Sequence, residues 1–152
     1  MKKKFIFIFI VIFSLSSCGY SPIYYGADIK TYNFNILSIK GDEEMNNIVD
    51  LQLKKFVSQN SSNSFDLNIK TEYERNILSK NKEGKATSYS LNTRIQFVLI
   101  DATDSQVFTF NEEIKTENMN NEFELKEYEK IVKNNFIKSK IMELISQLSV
   151  KN

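Results

Sequence analysis

The sequence predicts an α+β fold in which two helices pack on one face of a four-stranded, mainly antiparallel sheet. Two stretches carry apolar residues at three- and four-residue spacing, which is typical of helices with one buried face. Between them, long stretches alternate apolar and polar residues, so each strand has one dry and one wet face, as in antiparallel sheets. The order β-α-β-β-β-α then gives a two-layer sandwich, because the helices cover the dry face.

The N-terminal residues have the layout of a secretory signal peptide. A basic segment, Lys2–Lys4, precedes an apolar run from Phe5 to Phe13. This run is too short to cross a membrane, because a spanning helix needs about 20 apolar residues. A signal peptide is therefore predicted over residues 1–17.

The only cysteine lies directly after the predicted cleavage position. Leu15-Ser16-Ser17-Cys18 resembles the bacterial lipobox, in which the cysteine is acylated and becomes the new N-terminus. Two or three acyl chains anchor a protein stably, which makes Cys18 the predicted lipidation site. Gly19, by analogy with lipoprotein sorting signals, favours the outer membrane. The alternative is an ordinary secreted protein with a stray thiol, which would be a liability in an oxidising compartment.

The predicted folded part begins after a short tether. Residues 18–32 hold the only proline and are predicted to be an extended, lipid-anchored tether, and residues 33–152 a single domain. A strand is expected from Phe34 to Ile39. Asp42 is a candidate N-cap for the first helix, which the polar segment 60–64 would end. The apolar stripe of this helix is Met45, Ile48, Val49, Leu53, Phe56 and Val57.

Three strands follow, and the first two form a long hairpin. One face of the first strand consists of Phe65, Leu67, Ile69, Thr71 and Tyr73, and the second repeats the pattern with Tyr89, Leu91, Thr93, Ile95, Phe97 and Leu99. Lys80–Lys85 is a polar, glycine-containing turn. After a second turn at Asp101–Ser105, the third strand is marked by Phe108, Phe110 and Ile114. The first two strands exceed the usual five or six residues, so the hairpin is expected to project beyond the core.

Residues 123–149 form the last predicted element, a helix. Its stripe is Leu125, Tyr128, Val132, Phe136, Ile137, Ile141, Leu144, Ile145 and Leu148. Glutamates at its start and lysines in its second half complement the helix dipole.

The composition excludes most catalytic chemistry. The chain has no His, no Trp and one Cys, which removes histidine-based acid–base catalysis, Cys-His and Ser-His-Asp triads and most zinc sites. The formal net charge of +1 lacks the basic excess of a nucleic-acid binder. No glycine-rich phosphate loop is present. The sequence therefore favours a protein that is not an enzyme and needs no cofactor or metal.

Charge is nevertheless unevenly distributed along the chain. Residues 70–94 carry six Lys and Arg against three Glu, a net +3, and residues 101–129 carry nine acids against two Lys, a net −7. The basic part coincides with the predicted hairpin. It could meet a phosphorylated glycolipid or an acidic protein wall. Alternatively, the lysines only keep an exposed hairpin soluble and protect its edges.

Together these features resemble one family. The segment Cys18-Gly19-Tyr20-Ser21-Pro22-Ile23-Tyr24 is similar to the Cys-Gly-aromatic-x-Pro-Leu-Tyr start of the LPS-assembly lipoprotein LptE (RlpB) family. The order of elements is similar too, as is the short turn within Ile100–Val107. The terminal helix departs from the family, since it is rich in Lys, Asn and Ile where members are often rich in Ala. No ligand-contacting residue is therefore carried over.

The resemblance implies a role without catalysis. Members lie as a plug inside the outer-membrane β-barrel LptD, help it assemble and take part in placing lipopolysaccharide in the outer leaflet. The expected partners are LptD, lipopolysaccharide and, through Cys18, outer-membrane lipid on the periplasmic side, with no nucleic acid. Candidate contacts to lipopolysaccharide or the partner are Arg75, Lys80, Lys82, Lys85 and Arg94.

Three other functions stay open. A pilotin, or an accessory subunit of a secretion or efflux complex, would show the same lipobox and a similar core. A lipoprotein that binds a small apolar ligand would need an internal cavity, whereas 12 Phe and 7 Tyr look sufficient to fill the core. An enzyme comes last.

Overall fold

A computed structural model describes residues 32–56, 64–101, 104–119 and 121–151. The predicted signal peptide, Cys18 and the tether up to residue 31 lie outside the described residues. The elements are β1 (Asn33–Gly41), α1 (Glu43–Leu53), β2 (Ser64–Lys80), β3 (Ala86–Ile100), β4 (Ser105–Glu117) and α2 (Glu122–Lys151). This is the predicted order β-α-β-β-β-α, and the α+β class is confirmed.

The sheet has the order β1-β2-β3-β4 and is antiparallel except at one edge. β1 runs parallel to β2, because α1 carries the chain back between them. The pairs β2–β3 and β3–β4 are antiparallel hairpin neighbours. Leu67 lies opposite Leu99, and Phe97 opposite Phe108, so the apolar residues of the three strands share the face that the helices cover.

The core lies between this face and the two helices. It is built from large apolar side chains of both layers. Those with no exposed surface include Tyr32, Met45, Leu53, Leu67, Ile95, Phe97, Ile137, Ile141 and Leu144. The aromatic rings of Tyr32, Phe34 and Phe65 contact one another at one end of the layer, with centroids 5.7–6.4 Å apart. The alternation and the helical stripes therefore correctly identified the buried face of each element.

The passage from β1 into α1 depends on one glycine. Gly41 has φ +118°, a conformation that L side chains rarely adopt. Asp42 follows as the N-cap, and its Oδ1 accepts a hydrogen bond from the Met45 N–H at 2.9 Å. The predicted N-cap is thus confirmed, and it sits against β2 through the Asp42 N–H, which donates to Thr71 O at 3.4 Å.

The first helix is shorter than the sequence predicts. α1 ends at Leu53, with Lys54 as its C-cap, so the expectation of a helix extending to the segment 60–64 is wrong. The residues after Leu53 instead form a turn with an i to i−3 hydrogen bond, in which the Phe56 N–H donates to Leu53 O at 2.9 Å. Phe56 O accepts a hydrogen bond from the Tyr32 N–H. These bonds turn the chain out of the helix, although the apolar spacing continues through Phe56.

The second helix begins with a reciprocal cap that the apolar pattern of the sequence does not predict. Asn121 Oδ1 accepts from the Glu124 N–H at 2.8 Å, and Asn121 Nδ2 donates to Glu124 Oε1 at 3.0 Å. This pairing resembles a capping box, with Asn in place of Ser or Thr. It fixes the start of a 30-residue helix. This helix packs against both α1 and the sheet.

Candidate functional site

The β2–β3 hairpin projects beyond the helices, as predicted. Residues 74–80 of β2 are all exposed, whereas the first half of the strand contributes to the core. The exposed part includes apolar side chains, with Ile77 52% and Leu78 48% exposed. The part of the hairpin beyond Arg75 is therefore a surface available to a partner, and not an extension of the core.

The tip of the hairpin is an ordered turn. Gly84 has φ +81°, and its N–H donates to Asn81 O at 3.0 Å. Asn81 Oδ1 accepts from the N–H groups of Glu83 and Lys85 at 3.0 and 2.9 Å, and the Asn81 N–H donates to Lys85 O. An asparagine that binds its own turn in this way fixes the backbone locally. The turn thereby fixes the backbone positions from which its side chains extend.

Three of the five candidate contact residues lie together at this tip. Lys80, Lys82 and Lys85 are all exposed, and Lys85 Nζ lies 3.4 Å from Glu83 Oε2 in a largely exposed pair. A pair this exposed contributes little binding energy of its own. The tip thus presents three ammonium groups against one carboxylate.

Arg75 lies elsewhere, on the helix side of the sheet. Its guanidinium donates to Glu129 Oε1 at 3.0 Å and to Glu122 Oε1 at 3.3 Å, and it packs over the Tyr89 ring at 5.3 Å. These carboxylates raise the pKa of the Arg75 guanidinium against the opposing effect of its burial. Arg75 therefore ties the start of α2 to the hairpin.

Arg94 lies on the opposite, uncovered face. It is paired in register with Glu72, and its guanidinium is 3.8 Å from Glu72 Oε2. Glu72 also binds Lys70 Nζ at 2.6 Å, and this hydrogen bond, with the charge of Lys70, lowers the pKa of the Glu72 carboxyl. The five candidates are thus divided among the tip, the helix side and the open face. In β2 and β3, odd-numbered residues face the helices and even-numbered residues face away. The alternation along the strands therefore places Arg75 and Arg94 on opposite faces of the sheet.

The middle of the open face of the sheet is hydrophilic. A groove of about 350 Å³ runs across it. It is lined by Glu72, Glu74, Asn92, Thr93, Arg94, Asn111, Glu112 and Glu113. Among the described residues, no three acidic or cysteine side chains are grouped in a way that would hold a metal ion. The groove is therefore a polar surface and not an apolar ligand pocket.

A buried lysine at the helix–sheet interface was not foreseen. The Lys133 side chain is 8% exposed, and its Nζ lies 3.1 Å from Asp42 Oδ2 and 3.0 Å from Glu44 Oε2. It also lies 4.1 Å from the centroid of the Tyr73 ring. A lysine in an amphipathic helix is normally assigned to its polar, exposed face. The sequence pattern therefore does not predict that Lys133 is buried. Its position between α1, β2 and α2 makes it a structural link, not part of the hairpin surface.

Beside this lysine, the Tyr73 hydroxyl is buried and has no hydrogen-bond partner among the described residues. Burial, reinforced by the negative charge of Glu129, raises the pKa of Tyr73 above its ordinary value. The folded state therefore keeps this phenol neutral at pH values where the unfolded chain ionises it. Because the unfolded state then binds fewer protons, stability falls as pH rises above about 10.

We expect Tyr73→Phe to preserve or raise stability, by up to about 1 kcal/mol, since it removes an unpaired buried hydroxyl. The variant should also lose less stability than the wild type between pH 8 and pH 10.5. Urea unfolding at the two pH values measures both effects, with Tyr128→Phe as the control for a half-buried tyrosine. A variant that is destabilised at pH 8 would show that the hydroxyl is hydrogen-bonded.

In the part of the chain that the structure describes, neither helix combines the length and apolar character that a membrane crossing requires. No protein-family model matches the chain, and no curated protein matches its sequence. Its fold, however, is found among solved structures.

Rare lipoprotein B from Shewanella oneidensis is similar with a TM-score of 0.55 and 17% identity, over 78% of this chain and 100% of that chain. A protein described as a lipoprotein from Caulobacter crescentus is similar with a TM-score of 0.46 and 12% identity, over 82% of this chain and 94% of that chain. Lipoprotein B from Nitrosomonas europaea is similar with a TM-score of 0.47 and 14% identity, over 78% of this chain and 82% of that chain. The similarity to the Shewanella protein shows that the chain has the fold of rare lipoprotein B, as its resemblance to the LptE (RlpB) family implies.

Proposed function

We propose that this chain is an outer-membrane lipoprotein, anchored on the periplasmic side through acylated Cys18, that acts as plug and assembly partner of the β-barrel LptD in lipopolysaccharide transport. The observation that carries the proposal is the fold shared with rare lipoprotein B over the whole of that chain. The lipobox ending at Cys18, followed by Gly19-Tyr20-Ser21-Pro22, supports the same assignment from an independent part of the sequence.

The surfaces of the folded part are compatible with a position inside a barrel. The lumen of a large outer-membrane barrel is polar, so a plug needs hydrophilic faces. The open face of the sheet meets this requirement with the residues of its groove, and the projecting hairpin would reach further along the lumen. In this proposal the protein works by binding and positioning, without catalysis.

Affinity purification of a C-terminally tagged chain from detergent-extracted membranes tests the proposal. We expect a stoichiometric outer-membrane β-barrel protein, identified by mass spectrometry as LptD. A Cys18→Ala variant, which cannot be acylated, is the matched control for membrane anchoring. Recovery of a secretin or a pump subunit would instead assign the chain to a secretion or efflux complex, and recovery of no partner would also contradict the proposal.

The lysines of the hairpin tip are the proposed contacts to lipopolysaccharide phosphate. Replacing Lys80, Lys82 and Lys85 together by Gln should weaken lipopolysaccharide binding by about tenfold at low salt, and less at high salt, because exposed charges are screened. Binding of labelled lipopolysaccharide at two salt concentrations measures this.

A triple variant on exposed lysines of α2, Lys126, Lys130 and Lys138 to Gln, removes the same charge and should bind normally. Arg75→Gln and Arg94→Gln, tested singly, report on the two candidates outside the tip. If the tip variant binds lipopolysaccharide like the wild type, the tip is not the contact.

A further inference from the structure

One end of the open face differs from its hydrophilic middle. A second groove, of about 330 Å³, lies there across β1, β2 and β3. Its lining includes Ser38, Lys40, Asn68, Lys70, Gln96 and Val98. Val98 is in register with Val107 of β4, which is 58% exposed, so apolar surface continues from the groove to the next strand. Cations and an exposed apolar surface therefore lie next to each other at this end.

Two lysines lie side by side in this lining. Lys40 of β1 is in register with Lys70 of β2, and neighbouring strands are only about 4.8 Å apart. Two like charges on adjacent strands repel each other. Lys70 Nζ lies 2.6 Å from Glu72 Oε1, whereas Lys40 forms no ion pair with any described residue. The fold thus places beside Lys70 a second ammonium group without a counter-charge in the part of the chain that the structure describes.

The charges around this groove have a positive sum. The Glu72 carboxylate is shared between Lys70 and Arg94, whose guanidinium lies 3.8 Å from it. The three cations Lys40, Lys70 and Arg94 outnumber this one carboxylate, which leaves a net +2. A phosphate monoester carries about −1.5 to −2 at pH 7, so one such group matches this charge.

An amide donor adds to the polar part of the site. The Ser38 hydroxyl donates to Asn68 Oδ1 at 2.6 Å, which orients the Asn68 amide. The Nδ2–H groups of Asn68 are then available to an anion.

We infer that this groove binds a phosphate monoester carried on an apolar chain. The phosphate lies between Lys40 and Lys70 and removes their mutual repulsion. The chain covers Val98 and Val107, which takes their apolar surface out of water. The site lies at the opposite end of the sheet from the hairpin tip and does not depend on LptD, so the inference goes beyond the proposed function.

A single bound molecule fits this end of the sheet better than a flat anionic membrane. Asp66 is in register with Ile100 at the end of β3, and Asp101 and Asp104 lie in the connection to β4. These carboxylates lie on the side of the apolar surface away from the lysines. An anionic membrane placed over this end would meet them and be repelled.

Methyl NMR of the full acylated chain in phosphatidylcholine nanodiscs tests the inference, with empty nanodiscs as the blank. The probes are hexyl phosphate, inorganic phosphate, which lacks the chain, and hexyl glucoside, which lacks the charge. We expect hexyl phosphate to shift the methyl signals of Val98 and Val107 saturably and to leave Ile131, exposed on α2, unchanged. Each of the other two probes should bind about fivefold more weakly or less.

Two variants separate the contribution of the charge from that of the chain. Lys40→Gln combined with Lys70→Gln should weaken hexyl phosphate binding about tenfold, because both ammonium groups are lost. Its matched control, Lys126→Gln with Lys130→Gln on exposed positions of α2, removes the same charge and should bind normally. Val107→Thr should weaken hexyl phosphate binding about twofold and leave inorganic phosphate binding unchanged.

Three results would overturn the inference. They are the absence of valine methyl shifts at millimolar hexyl phosphate, equal binding of hexyl phosphate and inorganic phosphate, and equal effects of the lysine double variant and its control. Shifts of the same methyl groups in phosphatidylglycerol nanodiscs without a probe would instead identify a membrane surface as the occupant.

Phosphatidic acid added to the nanodisc distinguishes two sources of the same chemistry. Competition with hexyl phosphate would identify a membrane lipid as the source, and no competition a soluble phosphate ester, with the site supported in both cases. The triple Gln variant of Lys80, Lys82 and Lys85 should bind hexyl phosphate like the wild type. Failure of this inference is therefore distinguishable from failure of the proposed lipopolysaccharide contact at the tip.

Discussion

Gly41→Ala is expected to destabilise the protein by about 3–5 kcal/mol. The backbone conformation at φ +118° is one that residues with a Cβ adopt only at a cost of about 1–3 kcal/mol. In addition, a Cβ at this position would lie 1.8 Å from Thr71 O, so β1 or β2 must move. The same oxygen accepts the Asp42 N–H, and the move therefore disturbs the start of α1 as well.

Thermal and urea unfolding measure this loss, which is a large part of the 5–15 kcal/mol that a typical domain has. Gly84→Ala is the matched control, because Gly84 also has a positive φ but an added Cβ would meet nothing within 4 Å. It should cost about 1–2 kcal/mol, the conformational part alone. If the two variants were equally stable, the contact with Thr71 would not constrain the fold.

Lys133→Met is expected to cost about 2–3 kcal/mol. The substitution keeps the length and packing of the side chain but leaves Asp42 and Glu44 without their cation. Removing one partner of a buried ion pair costs 3–5 kcal/mol, and the partly exposed carboxylates here regain some hydration, which lowers that figure. The contact of the ammonium with the Tyr73 ring is lost at the same time.

Lys54→Met provides the comparison for this prediction. Its Nζ is closer to a carboxylate, at 2.6 Å from Asp50 Oδ2, but the lysine side chain is 65% exposed. Exposed pairs contribute 0.2–1 kcal/mol, so this variant should change stability by less than about 1 kcal/mol. A double-mutant cycle of Lys133→Met with Glu44→Gln isolates the pair itself. A coupling energy near zero would show that the pair with Glu44 adds nothing, and would assign the loss to Asp42 and the Tyr73 ring.

Most of the fold was predictable because burial follows local periodicity. The alternation from Phe65 to Tyr73 and the stripe from Leu125 to Leu148 are direct consequences of one covered face, so they appear in the sequence. The end of α1 was mispredicted for the opposite reason. Phe56 keeps the helical spacing, but its backbone carbonyl pairs with Tyr32, which is distant in sequence. The spacing of apolar residues along one helix cannot predict a hydrogen bond between residues that are far apart in the sequence.

The candidate surface was predictable in part. The projecting hairpin followed from strand length, and the lysines of its turn are exposed as expected. Arg75 and Arg94 were grouped with them because they are near in sequence. In the structure, register places Arg94 beside Glu72 on the open face, and α2 brings Glu122 and Glu129 to Arg75.

The sequence by itself determined the two-layer class, the faces of the strands and the second helix. It also contains the segment that resembles a lipobox and the separation of basic and acidic segments. Only the tertiary structure decided which charges meet. Lys133 is 91 residues from Asp42 in the chain, yet it is buried against it, because the crossing of α2 over α1 sets that contact. The buried face of a helix or strand follows from the residue pattern within that one element. An ion pair between two elements depends on how the two elements are placed relative to each other.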